Sequence, residues 1–105
     1  MNRTLSSEVA KHIDGQVSIQ GWLHKKRLLG GLTFISVRDR AGLTQVLVED
    51  KNEVEKLRGL HIGTVLTVVG TVFKDDIAPG GAEIHNPTLE IIVPVTDEPP
   101  IEIDK

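Results

Sequence analysis

The sequence predicts an all-β domain with short helices, its five strands curled into a small barrel, and three observations carry that prediction. Runs rich in β-branched and apolar residues recur at strand length, at Gln16 to His24, in two parts between Leu32 and Val48, at Thr64 to Phe73 and at Ala82 to Val93. Gly21 and Gly70 stand inside two of these runs, where a strand that wraps a barrel has to bend or bulge. With 105 residues, 39% of them hydrophobic, the chain can fill one core and not two.

In chain order, Ser6-Ser7-Glu8 starts a short helix: a Ser serves as N-cap, Glu8 puts negative charge in the first turn, and Val9 and Ile13 form one apolar stripe before Gly15. The first strand, Gln16 to His24, bends at Gly21, after which Trp22 is expected to pack in the core or at the barrel end. Lys25-Lys26-Arg27 then runs off the strand into Gly30-Gly31 as a basic loop. In the next strand Ile35 and Val37 share one face while Phe34, Ser36 and Arg38 share the other. A turn at Arg38 to Gly42, with Gly42 supplying a positive φ, leads to the third strand. There Thr44, Val46 and Val48 alternate with Leu43, Gln45 and Leu47, which brings Gln45 near Phe34.

Glu49 to Leu60 reads as a helix with Val54, Leu57 and Leu60 on its apolar side and an acid excess that turns it away from any polyanion. Thr64 to Phe73 is the fourth strand, and the Pro-Gly-Gly of Lys74 to Gly81 marks a loop. Ala82 to Val93 is the last strand, and Pro87 within it suggests an edge or a break. Residues 1–94 then form the domain, and 95–105, Pro-rich and acidic, an exit segment or linker.

Five strands with a helix between the third and fourth match an OB-fold, a Greek-key barrel. In that fold the second and third strands, with the loops after the first and fourth, bind oligonucleotides or oligosaccharides. Here those places hold Phe34 and Gln45, the cations Lys25 to Arg27, and the Asp75 to Glu83 loop. A ring, an amide and a guanidinium on a strand pair make a platform for an unstacked base. The plain alternatives are a half-buried strand aromatic and an edge strand guarded by lysines.

The net charge of −3 hides an asymmetry: Met1 to Val48 carry seven Lys and Arg against three Asp and Glu, a net +4, and Glu49 to Lys105 carry five against twelve, a net −7. A basic first half can attract phosphates locally, because salt screens each charge beyond about 8 to 10 Å. With no cysteine there is no disulfide framework, thiolate metal site or thiol nucleophile. No apolar run approaches the ~20 residues of a membrane span, and the N-terminus lacks a signal peptide's apolar stretch, so a cytoplasmic protein with no membrane partner is expected. His12, His24, His61 and His85 lack metal-ligand spacing, and no phosphate-binding or nucleophile motif occurs.

The run Gly21-Trp22-x-His24, basic residues, Gly30-Gly31, Phe34, then Arg38-Asp39-Arg40-x-Gly42-x-x-Gln45, with eleven residues from Phe34 to Gln45, resembles the N-terminal anticodon-binding domain of class II aminoacyl-tRNA synthetases. Within the aspartate, asparagine and lysine subgroup it is most similar to the aspartyl enzymes. The likeness covers nearly the whole chain, from RTLSSEVAKHIDGQ, similar to the family's leading helix, to EIHNPTLEIIVPVTDEPPIEI, similar to its last strand and exit segment. The resemblance implies that Phe34 stacks on the central uridine of the anticodon, that Gln45 bonds that base's edge, that Arg27 contacts the anticodon loop and that Glu83 reads an anticodon base.

The chain departs from bacterial relatives at Leu28-Leu29, where an Asp is usual, and at Leu47, where an aromatic is common. The short Asp75 to Gly81 loop resembles archaeal-type enzymes that accept tRNA-Asn as well as tRNA-Asp, and His24 with Pro87-Thr88 accompanies relaxed reading of the third anticodon base in some of them. The family's catalytic domain, with its ATP and magnesium, would follow Lys105. The fragment is therefore expected to bind tRNA without aminoacylating it, with no cofactor of its own, as a monomer taken from a homodimeric parent. An asparaginyl domain, a free-standing single-strand-binding OB module and an OB domain that binds only protein are the alternatives.

Overall fold

The computed structural model describes residues 3–29 and 32–95. Its strands are β1 (Gln16–Leu29), β2 (Leu32–Asp39), β3 (Gly42–Val48), β4 (Val65–Lys74) and β5 (Ala82–Val93), and they close a barrel in the order β1-β2-β3-β5-β4. This is the five-stranded OB-fold. One helix, α1 (Lys51–Leu57), lies between β3 and β4. Among the described residues no helix is long and apolar enough to cross a membrane.

Strict alternation builds the core. Ile35 and Val37 from β2, Val46 and Val48 from β3, Leu66, Val68 and Val72 from β4, and Ile84 and Leu89 from β5 are all at most 2% exposed. Each such side chain contributes roughly 1.5 to 3 kcal/mol by leaving water. Val9, Leu57 and Leu60 close the barrel from outside the strands, and Asp50 caps α1 by accepting from the Asn52 N–H at 2.7 Å.

β1 is longer than its alternation suggested. Gln16 to Trp22 pair with β4, and Trp22 to Leu29 pair with β2, so a single strand serves both halves of the barrel. Gly21 makes that possible, because a Cβ there would lie 2.1 Å from the Arg38 carbonyl oxygen. The register shift falls after it, between Leu23 and Lys25, and leaves His24 outside the ladder. Lys25, Lys26 and Arg27 are consequently strand residues opposite Ser36, Ile35 and Phe34, not a loop. Trp22, expected in the core or at the barrel end, is not in the core: it is 41% exposed, since the buried alternate position belongs to Leu23.

The first helix is a 3-10 helix over Ser6–His12 without a side-chain cap. Ser6 is committed elsewhere: its N–H and hydroxyl donate to the Asp39 carboxylate at 2.8 and 2.7 Å. Asp39 also accepts from the Ala41 and Gly42 N–H groups, so it locks both the β2-β3 turn and the N-terminal segment. At the helix exit Asp14, at φ 70°, takes the left-handed position expected of Gly15. Gly42 has the positive φ, 147°, that its turn called for.

Pro87 does not end β5, but it does mark a break in its ladder. Val69 faces Thr88 and Thr71 faces His85, so Asn86 and Pro87 together oppose one residue of β4 in a bulge, with Asn86 at φ 52°. The bulge leaves Pro87 unpaired, where its missing N–H costs nothing. Of the exit segment, Val95 is described and is tied down: its carbonyl accepts from the His61 N–H at 2.6 Å and its N–H donates to Thr64 Oγ1 at 2.9 Å. The rest of that segment and the Gly30-Gly31 turn lie outside the described residues.

Candidate nucleic-acid interface

Burial of Ile35 and Val37 forces Phe34 and Ser36 outward, and burial of Thr44 and Val46 does the same for Leu43 and Gln45. The register sets Ser36 opposite Gln45, with Phe34 the next outward residue along β2 and flanked by Arg27 of β1. With His24, Lys25 and Pro79 these side chains line a cleft of about 250 Å³. The strand-pair face therefore holds the ring, the amide and two of the cations in one place, and the β4-β5 loop reaches it through Pro79.

Behind Gln45 stands a buried acid. The start of β5 runs parallel to β3, pairing Gln45 with Glu83 and Val46 with Ile84, and Glu83 is 5% exposed. A buried carboxylate needs donors. Gln45 Nε2 donates to Glu83 Oε2, and His85 Nε2 lies 2.6 Å from Oε1. His85 in turn stacks on Phe73, ring centroids 4.3 Å apart and planes 21° from parallel. Because an ionised carboxylate only accepts, the amide must turn its NH2 toward Glu83. Its carbonyl oxygen and second N–H remain for a ligand.

Lys26 is not part of this cleft. Its ammonium donates to the carbonyls of Leu57, the last residue of α1, and of Leu60 just beyond it, at 3.0 and 2.9 Å. Lys25 and Arg27 make no ion pair among the described residues. Charge for an anion thus comes from alternate residues of one strand. Trp22 lines a separate, wider cleft of about 550 Å³ with Arg3, Leu5 and Arg40. No three His, Asp or Glu side chains among the described residues group as a metal site.

Two residues of the site, His85 and Phe73, escaped the sequence reading. His85 could have been found, since it lies two residues beyond Glu83 on a strand and so on the same side. Phe73 could not, because it arrives from β4 through barrel closure, whereas Pro79 belongs to the Asp75 to Glu83 loop that the order of elements had already set at this face.

A profile of the tRNA anticodon family, described as an OB-fold nucleic acid binding domain, matches residues 17–92. The chain is 35% identical to an aspartate–tRNA(Asp/Asn) ligase of Archaeoglobus fulgidus, over 97% of this chain and 27% of that protein. It is 41% identical to one of Methanoculleus marisnigri, over 82% and 20%. Among solved structures, asparaginyl-tRNA synthetase of Pyrococcus horikoshii bound to asparaginyl-adenylate superposes with a TM-score of 0.84 at 30% identity, covering 94% of this chain and 24% of that one. The chain thus spans about a quarter of the length of these relatives.

Proposed function

Since this chain belongs to the tRNA anticodon family of OB-fold nucleic acid binding domains, we propose that it reads a tRNA anticodon with a central uridine, as the N-terminal domain of an aspartyl-tRNA synthetase. The observation that carries this reading is the convergence of Phe34, Gln45, Lys25 and Arg27 on one cleft backed by Glu83. Phe34 supplies a stacking face, which contributes roughly 1 to 3 kcal/mol for any base. Gln45 supplies the discrimination: its free oxygen accepts from uracil N3–H while its second N–H donates to O4. Cytosine inverts both groups and leaves the amide unpaired at a cost of about 1 to 3 kcal/mol. Arg27, Lys25 and His24 hold the loop's backbone at the rim, and Glu83 both orients Gln45 and faces the neighbouring base.

Ligation of aspartate to tRNA, with ATP and magnesium, is proposed for the longer protein that carries such a domain, and homodimerisation likewise. The relatives named for both tRNA-Asp and tRNA-Asn favour a parent that accepts both, and His24 at the cleft rim is the residue through which the third base would be read loosely.

The test is fluorescence anisotropy with two anticodon stem-loops that differ only in U or C at the centre. The protein is expected to prefer U by roughly ten- to a hundred-fold. Gln45→Ala should compress that ratio, and Phe34→Ala should weaken both loops alike by about 1 to 3 kcal/mol while unfolding remains cooperative. Equal affinity of the unaltered protein for U and C loops would overturn the anticodon reading and leave a generic single-strand binder.

A further inference from the structure

Glu83 can orient Gln45 only if its own carboxylate is held, and the group that holds it has no other task visible in the fold. His85 Nε2 lies 2.6 Å from Oε1 of Glu83, and its ring is stacked on Phe73 at 4.3 Å. The imidazole keeps a quarter of its surface in water, with its side chain 27% exposed, while the carboxylate it meets is nearly enclosed at 7%. We infer that His85 is a positioning residue for base reading: seated on Phe73, it pins one oxygen of Glu83 so that the other fixes the amide of Gln45. This rests on the anticodon reading above and deepens it, since it makes uridine selectivity depend on a residue that meets no base.

The geometry of the chain of contacts supports a relay and not a loose cluster. Glu83 is the β5 partner of Gln45 in the parallel pairing and of Phe73 in the antiparallel one, so the carboxylate sits where three strands meet. His85 is two residues along β5, on the same side, opposite Thr71. A carboxylate has two oxygens free to rotate about the last side-chain bond. Two donors on separate oxygens stop that rotation, and one does not. Without the imidazole, Oε1 loses its donor in a nearly enclosed place, the carboxylate turns to find another, and the amide of Gln45 is released to flip. An amide that flips offers a donor and an acceptor in either order, and so accepts cytosine as readily as uracil.

The prediction is therefore specific. His85→Ala should lower the U-over-C preference by about tenfold, chiefly by improving relative binding of the C loop, with the salt dependence of binding unchanged. His85→Gln, whose amide N–H can reach the same oxygen, should restore most of the preference. In the free protein the side-chain amide resonances of Gln45 in a ¹⁵N-correlation spectrum should be displaced from random-coil positions, and should move toward them in His85→Ala but not in His85→Gln. A U-over-C ratio in His85→Ala equal to that of the unaltered protein, or Gln45 resonances indifferent to both substitutions, would overturn the inference while leaving the anticodon reading in place. If the unaltered protein itself does not discriminate, both fall together. Should His85→Ala fail to fold, a His85→Gln variant that folds yet loses the preference would overturn it too.

Discussion

Asp39 shows how much one side chain can decide in a small barrel. Burial pushes its pKa up, but hydrogen bonds from the Ser6 hydroxyl and from the N–H groups of Ser6, Ala41 and Gly42 outweigh that and hold it below the usual carboxylate range. A carboxylate whose folded pKa lies below its unfolded value, about 3.9, adds stability that is complete above that value and is lost as pH falls through the folded pKa. Stability should therefore drop as pH falls below about 4. In Asp39→Asn the drop should be shallower and the neutral-pH stability lower by about 1 to 2 kcal/mol, scaled for partial solvation. Urea unfolding at several pH values between 3 and 7 checks both, and a pH slope unchanged in the variant would refute the account.

At the scale of elements, β1 carries the most consequence. It leaves β4 and joins β2 at Trp22, and the crossing depends on the close approach of Gly21 to the Arg38 carbonyl. Gly21→Ala sets a methyl 2.1 Å from a backbone oxygen that two strands hold in place. A loss of about 3 kcal/mol or more is expected, at the upper end of overpacking costs, and thermal unfolding measures it. Past the bend, alternation divides the cations of the strand between two duties: Lys25 and Arg27 face the cleft, and Lys26 ties β1 to the end of α1.

For the whole molecule, a net charge of −3 would oppose a polyanion if it were spread evenly. It is not: among the described residues no Asp or Glu lines the cleft, and the cleft's cations, Lys25 and Arg27, come from the basic first half. Binding to a stem-loop should weaken steeply with salt. Lys25→Ala and Arg27→Ala should each flatten the logarithmic salt slope by about 0.7, the value for one phosphate on a single strand. Lys26→Met should leave that slope alone and lower stability by about 1 kcal/mol. Anisotropy titrations across a salt series, beside unfolding curves, separate the two outcomes, and a Lys26→Met slope equal to that of Lys25→Ala would return Lys26 to the interface.

The positions of β2 to β5, the faces of Phe34, Ile35, Gln45 and Val46, and the OB order of elements were determined by the sequence alone, because side-chain alternation has a period of two and burial obeys it locally. The link between Glu83 and Gln45 is another matter. Those residues are 38 positions apart and meet because β5 closes the barrel against β3 in parallel, a pairing no local pattern encodes. The same holds for Ser6 on Asp39, 33 positions away, where a long-range carboxylate took a hydroxyl that local propensity had assigned to a helix cap. The length of β1 was likewise a tertiary decision, whereas Trp22 turns outward by plain alternation with the buried Val17, Ile19 and Leu23, because the bulge falls after it, at His24, and exchanges faces only beyond that point.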